Sequence, residues 1–309
     1  MSVALLAMSH SPLLGINDPQ PDIAVELEES FETARRTVAE YDPDLVLVFT
    51  PDHFNGFFYT LMPQFCVGYT AASLGDYKTT AGPLDVPEEV AEELAQFIID
   101  EGVDVAISRE MVIDHGGAQP VELMFGSLTA KPVIPIFVNG VARPFSPMER
   151  IRRLGESIGK WAAAQDKRIL LIASGGLSHD PPLPRWAEAT DAQKEFLLHG
   201  HPDEADRAAR EARVIAAGKT STVATGIIDI NPEWDQQFMA DCASADPRRF
   251  DHYSAAQMDS DAGHSSHEVR TWVAAFSALA AANGNYQVEY EFYRPIPEFV
   301  AGFGLMIAR

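Results

Sequence analysis

Four histidines of this 309-residue chain each follow a short apolar run. Val3–Met8 leads into Ser9-His10-Ser11-Pro12, and Leu45–Phe49 into Pro51-Asp52-His53. Val103–Ile107 and then Met111–Ile113 lead into Asp114-His115-Gly116-Gly117, and Ile169–Ala173 into Gly175-Gly176-Leu177-Ser178-His179. Such runs read as buried strands, and α/β proteins gather ligands just beyond the carboxyl ends of their strands. One histidine beside a strand is more often structural; four in the same context point to one shared site. If two of them are metal ligands, a carboxylate would complete the 2-His-1-carboxylate facial triad of non-haem Fe(II), which leaves coordination positions open. Glu268 is a candidate. Ser265-Ser266-His267-Glu268 also fits S-x-x-E, the capping box, in which the glutamate merely closes a helix start. Spacing alone leaves ligand and cap equally open, and by the same logic His267 is a further possible ligand.

The elements that must position these side chains alternate. Helical spacing of apolar residues predicts helices over Asp22–Glu40 (Ile23, Leu27, Phe31, Ala34, Val38) and from Pro87 to Asp100. It predicts further helices over Met148–Ala164, Asp203–Ala217 and Ser265–Ala282, the last stopped by Asn283-Gly284. Val133–Val138 is one more buried strand; Tyr286–Tyr293 alternates as a strand does, and Phe299–Ala308 is apolar throughout. Pro181-Pro182 stiffens the exit from the His179 loop. Phe57, Phe58, Tyr59, Phe65 and Tyr69 could wall a pocket for a flat ligand or pack in the core. Residues 185–225 are polar and Ala-rich, a mobile lid or an exposed helical insert, and His199, His201, His252 and His264 read as surface residues. With no internal repeat and no long linker, a single α/β domain over 1–309 is the simplest organisation.

Composition bounds the function. The chain carries 45 acidic against 23 basic residues, a formal net charge of −22, which argues against nucleic acid and anionic membrane surfaces as partners. Only Cys66 and Cys242 are present, so neither a disulfide framework nor a cysteine zinc site is expected. No Lys or Arg precedes Arg35, the first apolar run is too short for a leader, and no window reaches membrane-spanning length, so the expected location is cytoplasmic.

Seven blocks in order, MSHSPLLG, FTPDHFNGFFY, DHGGAQPVE, ASGGLSHDPP, NPEWDQQFM, SSHEVRTWVAAF and YRPIPEFVAGFG, resemble the class III extradiol catechol dioxygenases nearly end to end, most weakly across 185–225. The resemblance implies an α/β/α sandwich with a central mixed sheet and Fe(II) held by His10, His53 and Glu268. It implies His115 and His179 as acid/base residues. His179 would remove a catechol proton and steer the reduced oxygen; His115 would donate a proton as the O–O bond breaks. It implies extradiol cleavage by O2 of a catechol, 3-(2,3-dihydroxyphenyl)propionate or its cinnamate analogue, in aromatic catabolism, and a homo-oligomer, which the apolar C-terminal run also suggests. Asp114 could orient a nearby imidazole or start a turn. Arg294, Arg143 and Lys78 are unranked candidates to receive a carboxylate tail. Two other classes compete: a zinc metallohydrolase on His10, His53 and Glu268, and a non-catalytic binding protein with a vestigial metal pocket.

Overall fold

The computed structural model describes residues 2–181, 183–201, 203–219 and 229–309. The strands are β1 (Ser2–Met8), β2 (Leu45–Thr50), β3 (Phe65–Gly68), β4 (Ala71–Ser73), β5 (Gly82–Pro83), β6 (Ala106–Ser108), β7 (Met111–Ile113), β8 (Val133–Val138), β9 (Arg168–Ser174), β10 (Val288–Ile296) and β11 (Ala301–Ala308). The helices are α1 (Pro21–Tyr41), α2 (Glu88–Asp100), α3 (His115–Phe125), α4 (Met148–Ala164), α5 (Asp191–His199), α6 (Glu204–Lys219), α7 (Pro232–Ala243), α8 (Ala255–Ala262) and α9 (Arg270–Asn283).

Eight strands pair in the order β10-β11-β1-β9-β2-β8-β3-β6, while β5-β4-β7 form a second small sheet. β1, β9, β2 and β8 run parallel, so their carboxyl ends share one edge. β11 joins β1 antiparallel and β3 joins β8 antiparallel, which makes the sheet mixed. Alternation along the strands sends Leu5, Ala7, Leu47 and Phe49 to a core shared with α2, α4 and α9. Leu6, Met8, Val46 and Val48 face the opposite core, shared with α1 and α3. Helices thus cover both faces, the α/β/α sandwich that alternation and resemblance anticipate. Each fully buried Leu, Ile or Phe in these cores contributes about 1.5–3 kcal/mol.

The tightest helix contact is α4 against α9. A Cβ at Gly155 would lie 2.1 Å from the Ala274 carbonyl oxygen, and one at Gly159 2.1 Å from that of Ala278. α9 is buried all round from Arg270 to Leu279, which is why its sequence is apolar and small-residue-rich without a polar stripe.

Several expectations shift. The strand expected over Val103–Ile107 is Ala106–Ser108, and the one expected over Tyr286–Tyr293 is Val288–Ile296. The helix expected from Ser265 begins as a 3-10 turn, Ser266–Val269, before α9. The five aromatics do not line the histidine cavity. Phe65 and Tyr69 are core residues, and Phe57 stacks on Phe137 at 4.1 Å. The apolar C-terminal run is β11, buried throughout inside the sheet, so its hydrophobicity is spent within the chain rather than on a partner. His199 and His252 are exposed as expected. His201 is not: its side chain is 10% exposed and faces the site cavity. His264 is half-buried and pairs with Asp180 at 3.1 Å. Pro182, Pro202 and residues 220–225, to which part of the loop-stiffening and lid-or-insert readings refer, lie outside the described residues.

Candidate active site

The parallel strands deliver His10 after β1, His53 after β2 and His179 after β9 at the same sheet edge. His115 comes from the small sheet, two residues beyond β7, and is the first residue of α3 rather than a loop residue. The four line one cavity with Glu268. Three of their rings lie in contact: His53 stacks on His115 with centroids 4.7 Å apart, and His10 stands edge-on to each at 5.4 Å. Ring nitrogens of His10, His53 and His115 all fall within 4.8 Å of one another.

Glu268 is the centre of the cluster. Its carboxylate stands 3.4 Å from His10 Nε2, 3.2 Å from His53 Nε2 and 3.1 Å from His179 Nε2, and accepts the Gly176 N–H at 2.9 Å. Ser265 makes no side-chain cap bond, so the capping-box alternative fails: the glutamate faces the histidines instead of closing the helix. His267, one residue earlier, is turned away. It bonds Asp259 at 2.8 Å and Arg270 at 2.8 Å, which sets it aside as a ligand.

Each imidazole has an outer partner that assigns its hydrogens. Asp114 can only accept, so the His53 Nδ1–H donates to it at 2.9 Å. Asp76 accepts from His115 Nδ1 at 2.6 Å, and the Leu177 carbonyl from His179 Nδ1 at 2.8 Å. Ser174 gives its hydroxyl hydrogen to the Gly116 carbonyl, so its oxygen must accept from His10 Nδ1, 3.0 Å away. In all four rings Nε2 is the atom left for chemistry. His115 Nε2 is buried with no hydrogen-bond partner among the described residues.

Asp114 does both things its position suggested. One oxygen caps α3 by accepting the Gly116 N–H at 2.9 Å. The other accepts the His53 N–H at 2.8 Å, His53 Nδ1–H at 2.9 Å and the Asn55 amide at 2.9 Å. The imidazole it orients is His53, not its neighbour His115. Asp52 builds the loop that presents His53, accepting backbone N–H groups of Asn55, Gly56 and Phe57 at 3.1, 2.8 and 3.1 Å. Asp76 and Ser174 escape sequence reasoning because a lone Asp or Ser carries no spacing signal.

The charges follow from this packing. Burial holds His10 neutral, its pKa down to about 3, with a free lone pair at neutral pH. Burial opposes the charged form of His53 too, but Asp114 and Glu268 outweigh it and raise its pKa well above the usual imidazole value. Glu268 would be pushed up by burial, yet His179 and His10 hold it well below the usual carboxylate range. Burial and the Asp114 charge lift Asp52 to about 7. Two neutralisable imidazoles and an ionised carboxylate, converging in a buried cleft, fit the donor set of non-haem Fe(II).

Residues 4–304 match the family model described as the catalytic LigB subunit of aromatic ring-opening dioxygenase. A 2,3-dihydroxyphenylpropionate/2,3-dihydroxicinnamic acid 1,2-dioxygenase of Rhodococcus globerulus is 53% identical, with 100% of this chain and 98% of that protein covered. One of the same description from Xanthobacter autotrophicus is 48% identical, with 100% and 99% covered. Among solved structures, an uncharacterized protein from Escherichia coli K12, JW3007, shares the fold at a TM-score of 0.56 and 14% identity, covering 99% of both chains. The histidine-lined edge of this sheet is thus the edge of a known enzyme class: the chain belongs to the LigB family of aromatic ring-opening dioxygenases, the class III extradiol enzymes.

Proposed function

We propose that this chain opens the ring of 3-(2,3-dihydroxyphenyl)propionate, and of its cinnamate analogue, beside the diol, adding both atoms of O2 to give a 2-hydroxy-6-oxo-dienedioate. The substrate is that of relatives about half identical over their full length. His10, His53 and Glu268 would hold Fe(II), and Ser174, Asp114 and the Gly176 N–H respectively hold those three side chains. When bound, the iron would supply a route for electron density from the ring to triplet O2, which a closed-shell ring otherwise resists.

The remaining chemistry is proton traffic. His179, with Nδ1–H fixed on the Leu177 carbonyl, takes a catechol proton on Nε2. His115 holds its mobile proton on Nε2, and the Asp76 carboxylate at Nδ1 steadies the charged ring until that proton passes to the oxygen released as the O–O bond breaks. Low side-chain exposure of His115 (3%) and His179 (10%) keeps bulk water from competing for those protons. The observation that carries this reading is the convergence of His10, His53 and His179 Nε2 on Glu268, with His115 Nε2 buried in the same cavity and each Nδ1 held by an outer partner. Membership of a dioxygenase family leaves the hydrolase and binding-protein readings without support. The whole chain, 1–309, serves as one catalytic domain in the cytoplasm, as a homo-oligomer; size-exclusion chromatography with light scattering tests the last point, and a monomer would refute it.

Iron analysis tests the division of labour. His10→Ala, His53→Ala and Glu268→Gln are expected to lose iron. His115→Gln and His179→Gln should keep it and lose turnover by roughly 10²–10⁴-fold. A His115→Gln protein that loses iron like the first three would make His115 a ligand, as its nearness to His10 and His53 permits.

A further inference from the structure

The cavity that holds the histidines at its inner end also takes in one face of α6, including Arg207, Arg210 and Val214. Arg210 is half-buried there, and among the described residues no carboxylate stands within ion-pair distance of its guanidinium. It packs 4.2 Å above the Phe196 ring, and among the described residues it reaches His201 Nε2 at 3.5 Å. That imidazole is already committed, its Nδ1 paired with Asp206 at 2.7 Å. The acids sharing the cavity are committed as well: Asp76 to His115, and Glu211 to the Tyr77 backbone. Arg207 pairs with Glu204 at 3.4 Å. A guanidinium withdrawn from water without a counter-ion is costly unless a ligand supplies the anion. The same cavity is also lined by apolar Leu183, Val214 and Phe299, which suit methylene groups.

We propose that Arg210 receives the side-chain carboxylate of the catechol and so sets the preference for 3-carboxyalkyl catechols over uncharged ones. Its planar fork matches a carboxylate through two parallel hydrogen bonds. This assignment rests on the substrate reading above. It replaces the three earlier candidates, all committed outside this cavity: Arg294 pairs with Glu26, Arg143 with Asp259, and Lys78 donates to the Gly15 carbonyl.

The test compares kcat/KM for 3-(2,3-dihydroxyphenyl)propionate with that for 3-propylcatechol, in wild type, Arg210→Met and Arg210→Lys. Alongside it, calorimetry measures binding of 3-phenylpropionate, which has no catechol oxygens and needs no metal. Loss of a charge-assisted contact should lower the acid-over-neutral preference of Arg210→Met by roughly 10- to 100-fold, mainly through KM, and weaken 3-phenylpropionate binding comparably. Arg210→Lys, which keeps the charge without the fork, should recover part of both. A wild type that prefers the acid while Arg210→Met keeps that preference overturns the assignment of Arg210 alone. Equal losses on both catechols in both variants, with 3-phenylpropionate binding intact, overturn it too, as a merely structural role. A wild type that cleaves 3-propylcatechol but does not favour the acid overturns the substrate reading itself.

Discussion

Replacing Asp114 by asparagine removes one charge and almost no volume, yet no orientation of the amide satisfies the four donors around it. If the amide oxygen caps α3 through Gly116, its NH2 faces three donors: the His53 N–H, His53 Nδ1–H and the Asn55 amide. If it is flipped, those three are kept as weaker neutral bonds and the cap is lost, at about 1 kcal/mol. Converting the His53 bond from charge-assisted to neutral costs about another 1 kcal/mol. Asp114→Asn should therefore destabilise the metal-free protein by about 2–3 kcal/mol. Asp114→Ala, which leaves buried donors with nothing, should cost about 3–5 kcal/mol. Because the carboxylate also fixes the tautomer and basicity of His53, iron affinity should fall about 10- to 100-fold in the asparagine variant. Urea unfolding of the metal-free protein and competition for Fe(II) with a calibrated chelator read the two effects separately. An asparagine variant that loses stability but binds iron within twofold of wild type would refute the orienting role and leave Asp114 as a helix cap only.

Gly155→Ala and Gly159→Ala should each destabilise by about 1–3 kcal/mol, and more in combination, since each new Cβ meets a backbone carbonyl of α9 that cannot retract; thermal unfolding checks this, and unchanged midpoints would contradict the close α4–α9 contact. Burial pushes the Cys66 thiol up to about 12 and the Cys242 thiol well above its ordinary value. The native protein should take up no iodoacetamide through pH 9, and the denatured chain should take up two equivalents. The sign for stability follows: neutral burial of these thiols costs nothing below the unfolded pKa near about 8.5. Above it the folded state holds more protons, so stability falls by up to about 1.4 kcal/mol per pH unit for each thiol. A stability profile flat from pH 8 to 10 would contradict that.

Much of the site was legible in the sequence because parallel strands share one carboxyl edge, so histidines after β1, β2 and β9 have to meet. Glu268 was ambiguous for a definite reason: S-x-x-E serves equally as a cap, and only the absence of a bond from Ser265 separates the two. Asp76 and Arg210 were invisible. The first reaches His115 from 39 positions away with no periodicity to mark it. The second sits in a polar, Ala-rich stretch whose pattern predicts an exposed helix. The short β3, β4 and β5 and the polar α5, α7 and α8 were missed for a related reason, since two to four residues, or a helix half covered by charge, give little hydrophobic pattern to read.

The most direct measurement is oxygen uptake by protein loaded anaerobically with Fe(II) and given 3-(2,3-dihydroxyphenyl)propionate, with the absorbance of a yellow ring-opened product followed in parallel. One O2 consumed for each product formed is the expected result. No uptake with this or any other catechol, despite a full complement of iron, would contradict the proposal that His10, His53 and Glu268 build a ring-opening centre.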